Sequence, residues 1–399
     1  MTESRKYILL QSEYTLSYSD DECFINDKVL KREGEAKPAK EVCFDLQQSF
    51  YNTFLKRHFR NVVVLTAAGT SMDNGDNDKR GKTREGLWNY CITEIDAFTN
   101  SITEFKTKAF YTNKDIEGLL SHIILFEKLN GEIKKGDDVL REALELKIAE
   151  ACRLELQPQA PHKDFLNKLT ARKSSDPRIQ LFTTNYDLLF EKAANQGGFV
   201  VIDGFSFTQP RKFSGRYFDF DIVNREKTRI KQEESFVSKV FHFYKLHGSL
   251  NWFKDKAGNI EQQDKPAKPL IIYPASEKYE SSYEQPYFEM MSRFQQALRK
   301  ENTLLIVIGF GFQDKHIQNA VIEAVEQNPS FQLLIVNYNS KDGIETTCLK
   351  PFFVDEEMKQ VKRNVNIVFD TFSGFTKNYP SNNTYIEPNK EAGNESVQS

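Results

Sequence analysis

Seven short runs of apolar, largely β-branched and aromatic residues recur along the chain, and segments with apolar residues at helical spacing lie between several of them. The runs cover residues 61–66, 179–184, 199–202, 241–246, 303–308, 331–336 and 364–369. Uninterrupted apolar strands are typical of parallel sheets that are buried on both faces. The repeated order of strand, loop and helix predicts an α/β fold with a doubly wound, Rossmann-like parallel sheet.

Three segments do not follow this pattern. Residues 1–40 contain two β-rich runs, 6–10 and 14–18, which predict an N-terminal β-hairpin extension that serves either as a covering flap or as an oligomerisation arm. The pattern from about 83 to 173 is helical and predicts an insertion that caps the sheet. Residues 376–399 are rich in Asn, Glu, Ser and Pro and are expected to form a disordered tail, which leaves 41–375 as the main domain.

Composition narrows the class of protein. The 399 residues include 54 Lys+Arg and 57 Asp+Glu, a net charge of −3, whereas a nucleic-acid-binding surface over the whole chain needs a basic excess. The five cysteines are scattered and form no Cys-x-x-Cys pair, so we expect no zinc site and unpaired thiols in a reducing cytosol. No run approaches the ~20 apolar residues of a membrane span, which predicts a cytoplasmic protein without membrane contact.

Small and polar residues stand where the strands end. A small side chain lets the backbone approach a phosphate closely, and a hydroxyl can donate a hydrogen bond to it. The residues that follow strands 61–66 and 303–308, and that we expect to contact a dinucleotide, are Ala68, Gly69, Thr70, Ser71, Gly309, Phe310 and Gly311. For the Gly309–Gly311 turn, ligand contact and plain tight-turn geometry fit equally well. Asp314 is the candidate N-cap of the helix after that turn.

Two further strand ends carry residues suited to chemistry. Asn185 and Asp187 follow the strand 179–184, and His247 ends the strand 241–246. Asn185 can orient a water or a ribose hydroxyl, although a helix N-cap fits its position as well. An imidazole can act as a base near neutral pH, and Asp187 is expected to help bind the ligand. His162 is expected to be a structural or a surface histidine, and Ser249 lacks the strand–elbow–helix context of a hydrolase nucleophile.

Taken in order, these motifs resemble the NAD-binding motifs of sirtuins. The segments that carry the resemblance are Ala-Ala-Gly-Thr-Ser at 67–71, Thr-Asn-Tyr-Asp at 184–187, Leu-His-Gly at 246–248, Gly-Phe-Gly at 309–311 and Val-Asn at 336–337. They look most like the sirtuin-like NADases of bacterial anti-phage defence, and among these the subunit encoded beside a HerA-type hexameric ATPase. The resemblance implies hydrolysis of NAD, as substrate, to nicotinamide and ADP-ribose, with Asn185 and His247 as the catalytic pair. It also implies that Asn337 contacts the NAD, and that the chain forms a homo-oligomer with a HerA-type ATPase as partner.

The chain departs from the family in two ways. The family's first motif opens Gly-Ala-Gly, whereas this chain has Ala67, whose added methyl can crowd the turn or the pyrophosphate. The sequence also lacks the zinc-binding cysteine pairs and the peptide-docking segment of protein-deacylating sirtuins, which disfavours deacylation. Two alternatives stay open: a catalytically weak NAD- or ADP-ribose-binding regulatory subunit, suggested by Ala67, and a DNA-directed subunit of a nuclease or ATPase complex, suggested by basic stretches at 79–82 and 211–216.

Overall fold

A computed structural model describes residues 5–30, 37–97, 103–173, 175–224, 236–273, 284–338, 346–355, 358 and 360–381. In chain order, its strands are β1 (Lys6–Leu10), β2 (Thr15–Tyr18), β3 (Cys23–Ile25), β4 (Lys28–Val29), β5 (Asn61–Thr66), β6 (Lys134–Lys135), β7 (Asp138–Val139), β8 (Gln180–Thr183), β9 (Val200–Ile202), β10 (Val240–Lys245), β11 (Gly248–Ser249), β12 (Trp252–Lys254), β13 (Ile260–Gln262), β14 (Leu270–Ile271), β15 (Thr303–Ile308), β16 (Gln332–Asn337) and β17 (Val365–Phe369). Within these residues, eleven strands form one sheet in the order β4-β3-β2-β1-β17-β16-β15-β5-β8-β10-β9.

The part of this sheet from β17 to β9 is entirely parallel. Strand β5 lies at its centre, with β8, β10 and β9 on one side and β15, β16 and β17 on the other. After β5 the chain builds one side of the sheet, and from β15 onward it builds the other side. The order in which strands are added therefore reverses between the neighbouring strands β5 and β15. In open α/β sheets this topological switch point is where ligands bind. The predicted doubly wound α/β fold is confirmed.

Helices cover both faces of the sheet. The helices of the described residues are α1 (Ala39–Phe54), α2 (Ala68–Met72), α3 (Arg84–Ala97), α4 (Ala109–Thr112), α5 (Ile116–Asn130), α6 (Leu140–Ala151), α7 (His162–Thr170), α8 (Leu189–Gly197), α9 (Tyr287–Leu298), α10 (Lys315–Gln327), α11 (Thr346–Leu349) and α12 (Phe372–Asn378). Helices α1, α7, α8 and α12 pack on the face that carries Val64 and Ile306. Helices α9 and α10 pack on the face that carries Leu65 and Val307. Neighbouring strand residues thus face opposite layers, as the pleat requires.

The helical insertion has a core of its own. Helices α3, α5 and α6 bury Trp88, Leu120 and Leu144 against one another. The predicted boundary near 173 also includes α7, but Phe165 and Leu166 of that helix join the core of the sheet. The separately packed part of the insertion therefore ends with α6.

The N-terminal strands are part of the central sheet. Strand β1 pairs antiparallel with β17, and β2, β3 and β4 follow as an antiparallel meander. The predicted hairpin is therefore a four-stranded extension. It covers the edge of β17, whose backbone groups would otherwise be open to pairing with another chain.

Two cysteines of this region correct an expectation. Cys23 on β3 and Cys43 on α1 form a disulfide, with their Cα atoms 6.1 Å apart, so the prediction that the cysteines are unpaired is wrong for these two. The sequence contains no motif for the pair, because the packing of α1 on β3 brings them together across 20 residues. The expectation of a reducing compartment loses one of its grounds.

The C-terminal end of the described chain is helical. Helix α12 continues to Asn378, past the predicted start of the tail at residue 376, and Thr376 is buried. Most of the predicted tail, residues 382–399, lies outside the described residues. Across the described part of the chain, no helix combines the length and apolarity needed to cross a membrane.

Candidate functional site

The carboxyl ends of β8 and β10 place Asn185 and His247 at the same edge of the sheet. The two strands are parallel neighbours, and Thr183 is paired with Lys245. Asn185 and His247 each lie two residues beyond that pair. The backbone N–H of Leu246 donates to the carbonyl of Thr183 at 2.8 Å, so the parallel pairing of the two strands continues to their ends. The structure therefore brings these two residues to neighbouring positions.

Asn185 turns its side-chain nitrogen toward the loop that follows β5. Nδ2 lies 3.0 Å from the carbonyl oxygen of Ala67, 3.2 Å from Thr70 Oγ1 and 2.9 Å from Ser71 Oγ. Because a backbone carbonyl can only accept, this end of the amide must be the nitrogen. The side-chain oxygen Oδ1 is consequently the atom that can accept a hydrogen bond from a water or a substrate hydroxyl.

Ser71 and Asp187 extend this network. Ser71 Oγ donates to Asp187 Oδ2 at 2.6 Å, and Asp187 Oδ1 accepts from the backbone N–H of Leu189 at 3.1 Å. Asp187, not Asn185, therefore supplies the side-chain acceptor at the start of α8. Thr70 Oγ1 donates to a carbonyl of its own loop at 2.9 Å. The hydroxyls of Thr70 and Ser71 are buried and hold the loop in place.

His247 is held by the residue that caps α10. Its Nε2 lies 3.1 Å from Oδ2 of Asp314, and only 14% and 11% of the two side chains are exposed. The other oxygen of Asp314, Oδ1, accepts from the backbone N–H groups of His316 at 3.1 Å and Ile317 at 3.3 Å. The predicted N-cap is confirmed, and the same carboxylate also contacts the imidazole.

The residues after His247 form a turn that needs glycine. Gly248 has a φ of +82°, and a Cβ there would overlap the carbonyl oxygen of Leu270. The carbonyl of His247 accepts from the N–H of Ile272 at 2.8 Å. Ser249 is fully buried and donates to Asn251 at 2.8 Å. A serine in that position is enclosed by the protein and is poorly placed to attack a substrate.

Gly69 and Gly309 meet backbone to backbone at the switch point. The N–H of Gly69 donates to the carbonyl of Gly309 at 3.1 Å, and Gly309 has a φ of +65°. A Cβ on Gly309 would lie 2.5 Å from the Cα of Gly69. Turn geometry therefore requires glycine at 309. A Cβ on Gly311 would meet nothing within 4 Å, so that position is open.

The remaining residues predicted to bind ligand lie along the same edge. Ala68 is exposed, and Phe310 and Asn337 are half-buried. Asn337 ends β16, one residue beyond the partner of Ile308.

The methyl group of Ala67, the departure from the family motif, is accommodated. Ala67 has a φ of −146°, which is extended backbone that any residue adopts. The residue is 5% exposed. The methyl group therefore packs inside the protein and does not strain the turn.

Residues 180–351 match the model of the SIR2-like domain. This range is fewer than half of the residues. It contains Asn185, His247, Gly309 and Asn337, but not the loop after β5. The resemblance to sirtuins is thereby confirmed for this SIR2-like segment. The presence of a SIR2-like domain implies NAD binding by this segment. A comparison with curated proteins gives no match.

Lys245 is a residue of the SIR2-like segment that the sequence patterns did not single out. It is 2% exposed, and its Nζ donates to the carbonyls of Tyr186 and Asp187 and lies 2.8 Å from Oε1 of Glu191. Burial raises the pKa of Glu191, and the ammonium opposes that effect. The one signal in the sequence was a lysine at the end of an aromatic, buried strand. A cation in such a position needs partners, so it could have been expected to form hydrogen bonds or an ion pair. Lys245 supports the loop that carries Asn185.

The helical insertion contacts the SIR2-like segment beside the site. Arg84, the first residue of α3, donates a hydrogen bond to Gln313 in the loop before α10. Tyr186 packs against a small apolar cluster that includes Ala149 of α6, and its hydroxyl donates to the carbonyl of Ile272 at 2.5 Å. Among the described residues, no group of three or more His, Cys, Asp or Glu side chains is arranged to hold a metal ion.

Proposed function

We propose that the chain hydrolyses NAD to nicotinamide and ADP-ribose. The observation that carries this proposal is the placement of the Asn185 amide and the His247 imidazole at the ends of adjacent parallel strands. The Gly69–Gly309 contact lies at the switch point on the same edge, where open α/β sheets bind dinucleotides. The SIR2-like domain supports NAD as the ligand.

In the proposed reaction, a water oxygen forms a bond to C1′ of the nicotinamide ribose. The bond between C1′ and the nicotinamide nitrogen breaks, and its electron pair neutralises the pyridinium charge. Nicotinamide leaves as a neutral molecule, so neither a protein nucleophile nor an acid for the leaving group is required. Asn185 Oδ1 accepts a hydrogen bond from the water, and His247 takes its proton.

The proposed hydrolysis also suggests a biological role for the chain. We propose that the chain depletes cytoplasmic NAD in anti-phage defence, as a homo-oligomer that works with a HerA-type hexameric ATPase. The support is the resemblance of the ordered motif set to that group of NADases, including Thr-Asn-Tyr-Asp at 184–187.

Ala67 and the basic stretch at 211–216 give the two alternatives less support than the sequence suggested. Ala67 suggested a weakly binding regulatory subunit, but its methyl is buried in an unstrained loop. The basic stretch at 211–216 suggested contact with DNA. Arg211, however, is paired with Asp203 at 2.7 Å, and Lys212 with Glu261 at 3.2 Å, so these charges are already balanced.

Release of nicotinamide by the full-length chain tests the proposal. The wild type is assayed alone, with the partner ATPase, and with phage DNA added. We expect turnover that Asn185→Ala and His247→Ala each abolish, and that His58→Ala preserves, since His58 is an exposed residue outside the site. Intact NAD under every condition would refute hydrolysis, and calorimetric binding of NAD without turnover would then favour the regulatory subunit.

A further inference from the structure

The contact between Asp314 and His247 assigns a proton to one ring nitrogen. A carboxylate has only acceptor atoms, and Asp314 Oδ2 lies 3.1 Å from His247 Nε2. In a neutral imidazole one nitrogen carries the hydrogen and the other accepts. Nε2 must therefore donate to Asp314, and Nδ1 is left as the nitrogen that can take a proton.

The helix cap fixes the orientation of the carboxylate. Oδ1 of Asp314 accepts from the N–H groups of His316 and Ile317 at the start of α10, so Oδ2 is the oxygen that faces the imidazole. Both side chains are largely buried, which limits competition from water. The rigid start of a 13-residue helix thus determines how the histidine ring is turned.

We propose that Asp314 is a positioning residue that holds His247 in the tautomer with Nε2 protonated and Nδ1 available as the base. This inference rests on the proposed hydrolysis of NAD for its catalytic consequence. The tautomer itself is a property of the free protein. In a base with this arrangement, the carboxylate orients the ring and does not take the proton itself.

The substitution Asp314→Asn separates this role from capping. An asparagine keeps the cap only by presenting its Oδ1 to His316 and Ile317, which turns its NH₂ group toward His247. Nε2 must then accept, so the hydrogen moves to Nδ1 and the base is lost. Asp314→Ser also retains a good cap but imposes no tautomer. A purely structural role predicts that Asn is the milder substitution, whereas a positioning role predicts that Asn is at least as harmful as Ser.

The experiment combines a spectrum with an assay. Long-range ¹H–¹⁵N spectra of the ligand-free full-length chain, labelled at its six histidines, report the tautomer of each ring, and a His247→Gln sample assigns the signals of His247. Asp115→Asn is the matched control, because Asp115 caps α5 through the N–H of Glu117 at 3.2 Å and contacts no histidine in its capping role. Thermal melting of all variants monitors the fold.

We expect the wild type and Asp115→Asn to show Nε2-protonated His247, and Asp314→Asn to show the Nδ1-protonated form with kcat lowered ~100-fold or more. An unchanged tautomer in Asp314→Asn, or a kcat within about three-fold of wild type, overturns the proposal. A loss of kcat in Asp314→Ser that exceeds the loss in Asp314→Asn also overturns it. If the wild type does not hydrolyse NAD, the proposed function fails, while the spectra still decide the tautomer.

Discussion

Gly69 and Gly309 touch backbone to backbone where β5 and β15 end, with 3.1 Å between the amide nitrogen of one and the carbonyl oxygen of the other. The contact joins the two loops on either side of the switch point. Neither loop can move away without breaking this hydrogen bond. The loops approach so closely because neither residue has a side chain.

Gly309→Ala is therefore expected to lower the free energy of unfolding by about 2–4 kcal/mol. The left-handed backbone costs an alanine about 1–2 kcal/mol, and the clash with Gly69 adds to it. Gly198→Ala is the control, since Gly198 has a φ of +68° and open space at its Cβ position. Urea denaturation measures both variants. Equal losses would mean that the contact between the loops tolerates a methyl group.

A second prediction concerns Ser71, which accepts from Asn185 and donates to Asp187. Ser71→Ala leaves the Asn185 amide with weaker support, and we expect kcat for NAD hydrolysis to fall about 10-fold because the amide is less well oriented. The loss of a buried hydrogen bond costs about 1–2 kcal/mol of stability. Ser206→Ala is the comparison, since Ser206 is a buried serine whose hydroxyl bonds to Thr208. Both variants would lose stability, and only Ser71→Ala would lose turnover; equal kcat values would contradict the orienting role.

The strands that form this site could be predicted because each is a short, mainly apolar run that is followed by small or polar residues. Strands β5 and β15 have the predicted bounds, 61–66 and 303–308. Parallel strands end at one edge, so the residues that follow them could also be expected to lie together.

The hydrogen bonds within the site could not be predicted in the same way. Asp314 reads as a helix cap in the sequence, and its contact with His247, 67 residues away, depends on where α10 packs relative to β10. The Cys23–Cys43 pair likewise depends on the packing of α1. Local patterns specify elements, whereas such pairs follow from the placement of one element on another.

Lys245 leads to a third prediction, since its ammonium donates to the carbonyls of Tyr186 and Asp187 and pairs with Glu191. Lys245→Met leaves the carboxylate without its cation. Breaking a buried pair costs about 3–5 kcal/mol, and because the Glu191 side chain is 28% exposed we expect about 2–3 kcal/mol by urea denaturation. Turnover should also fall, because the loop that carries Asn185 loses its support.

The double variant Lys245→Met with Glu191→Leu separates the two effects. Without the carboxylate, no unpaired charge is left, so most of the lost stability should return. The two carbonyls still lack their donor, so turnover should stay low. Wild-type turnover in Lys245→Met would show that the ammonium does not support the loop.

The fourth prediction concerns pH and His162, the first residue of α7. The ring is fully buried, and neither nitrogen has a hydrogen-bond partner among the described residues. It packs edge-on against Phe190 and Phe372, with centroids 4.8 and 5.2 Å away. Burial lowers the pKa of His162 from 6.5 to about 3. The sequence left a structural and a surface position open for this histidine, and the ring is buried.

Because the pKa of His162 is lowered by folding, the protein loses stability as the pH falls. The unfolded chain takes up a proton at residue 162 below pH 6.5, and the folded protein does so only near pH 3, so stability is lost as the pH falls between these values. At about 1.4 kcal/mol per pH unit, the loss between pH 7 and pH 5 is about 2 kcal/mol. His162→Phe removes this loss and also replaces two unpaired nitrogens, so we expect the variant to be at least as stable as wild type at pH 7. Between pH 7 and pH 5, its free energy of unfolding should rise by about 2 kcal/mol relative to that of wild type. Urea denaturation at pH 7, 6 and 5 measures the difference, with His58→Gln as the exposed control. Parallel curves for wild type and His162→Phe would show that His162 takes up its proton in the folded protein as readily as in the unfolded chain.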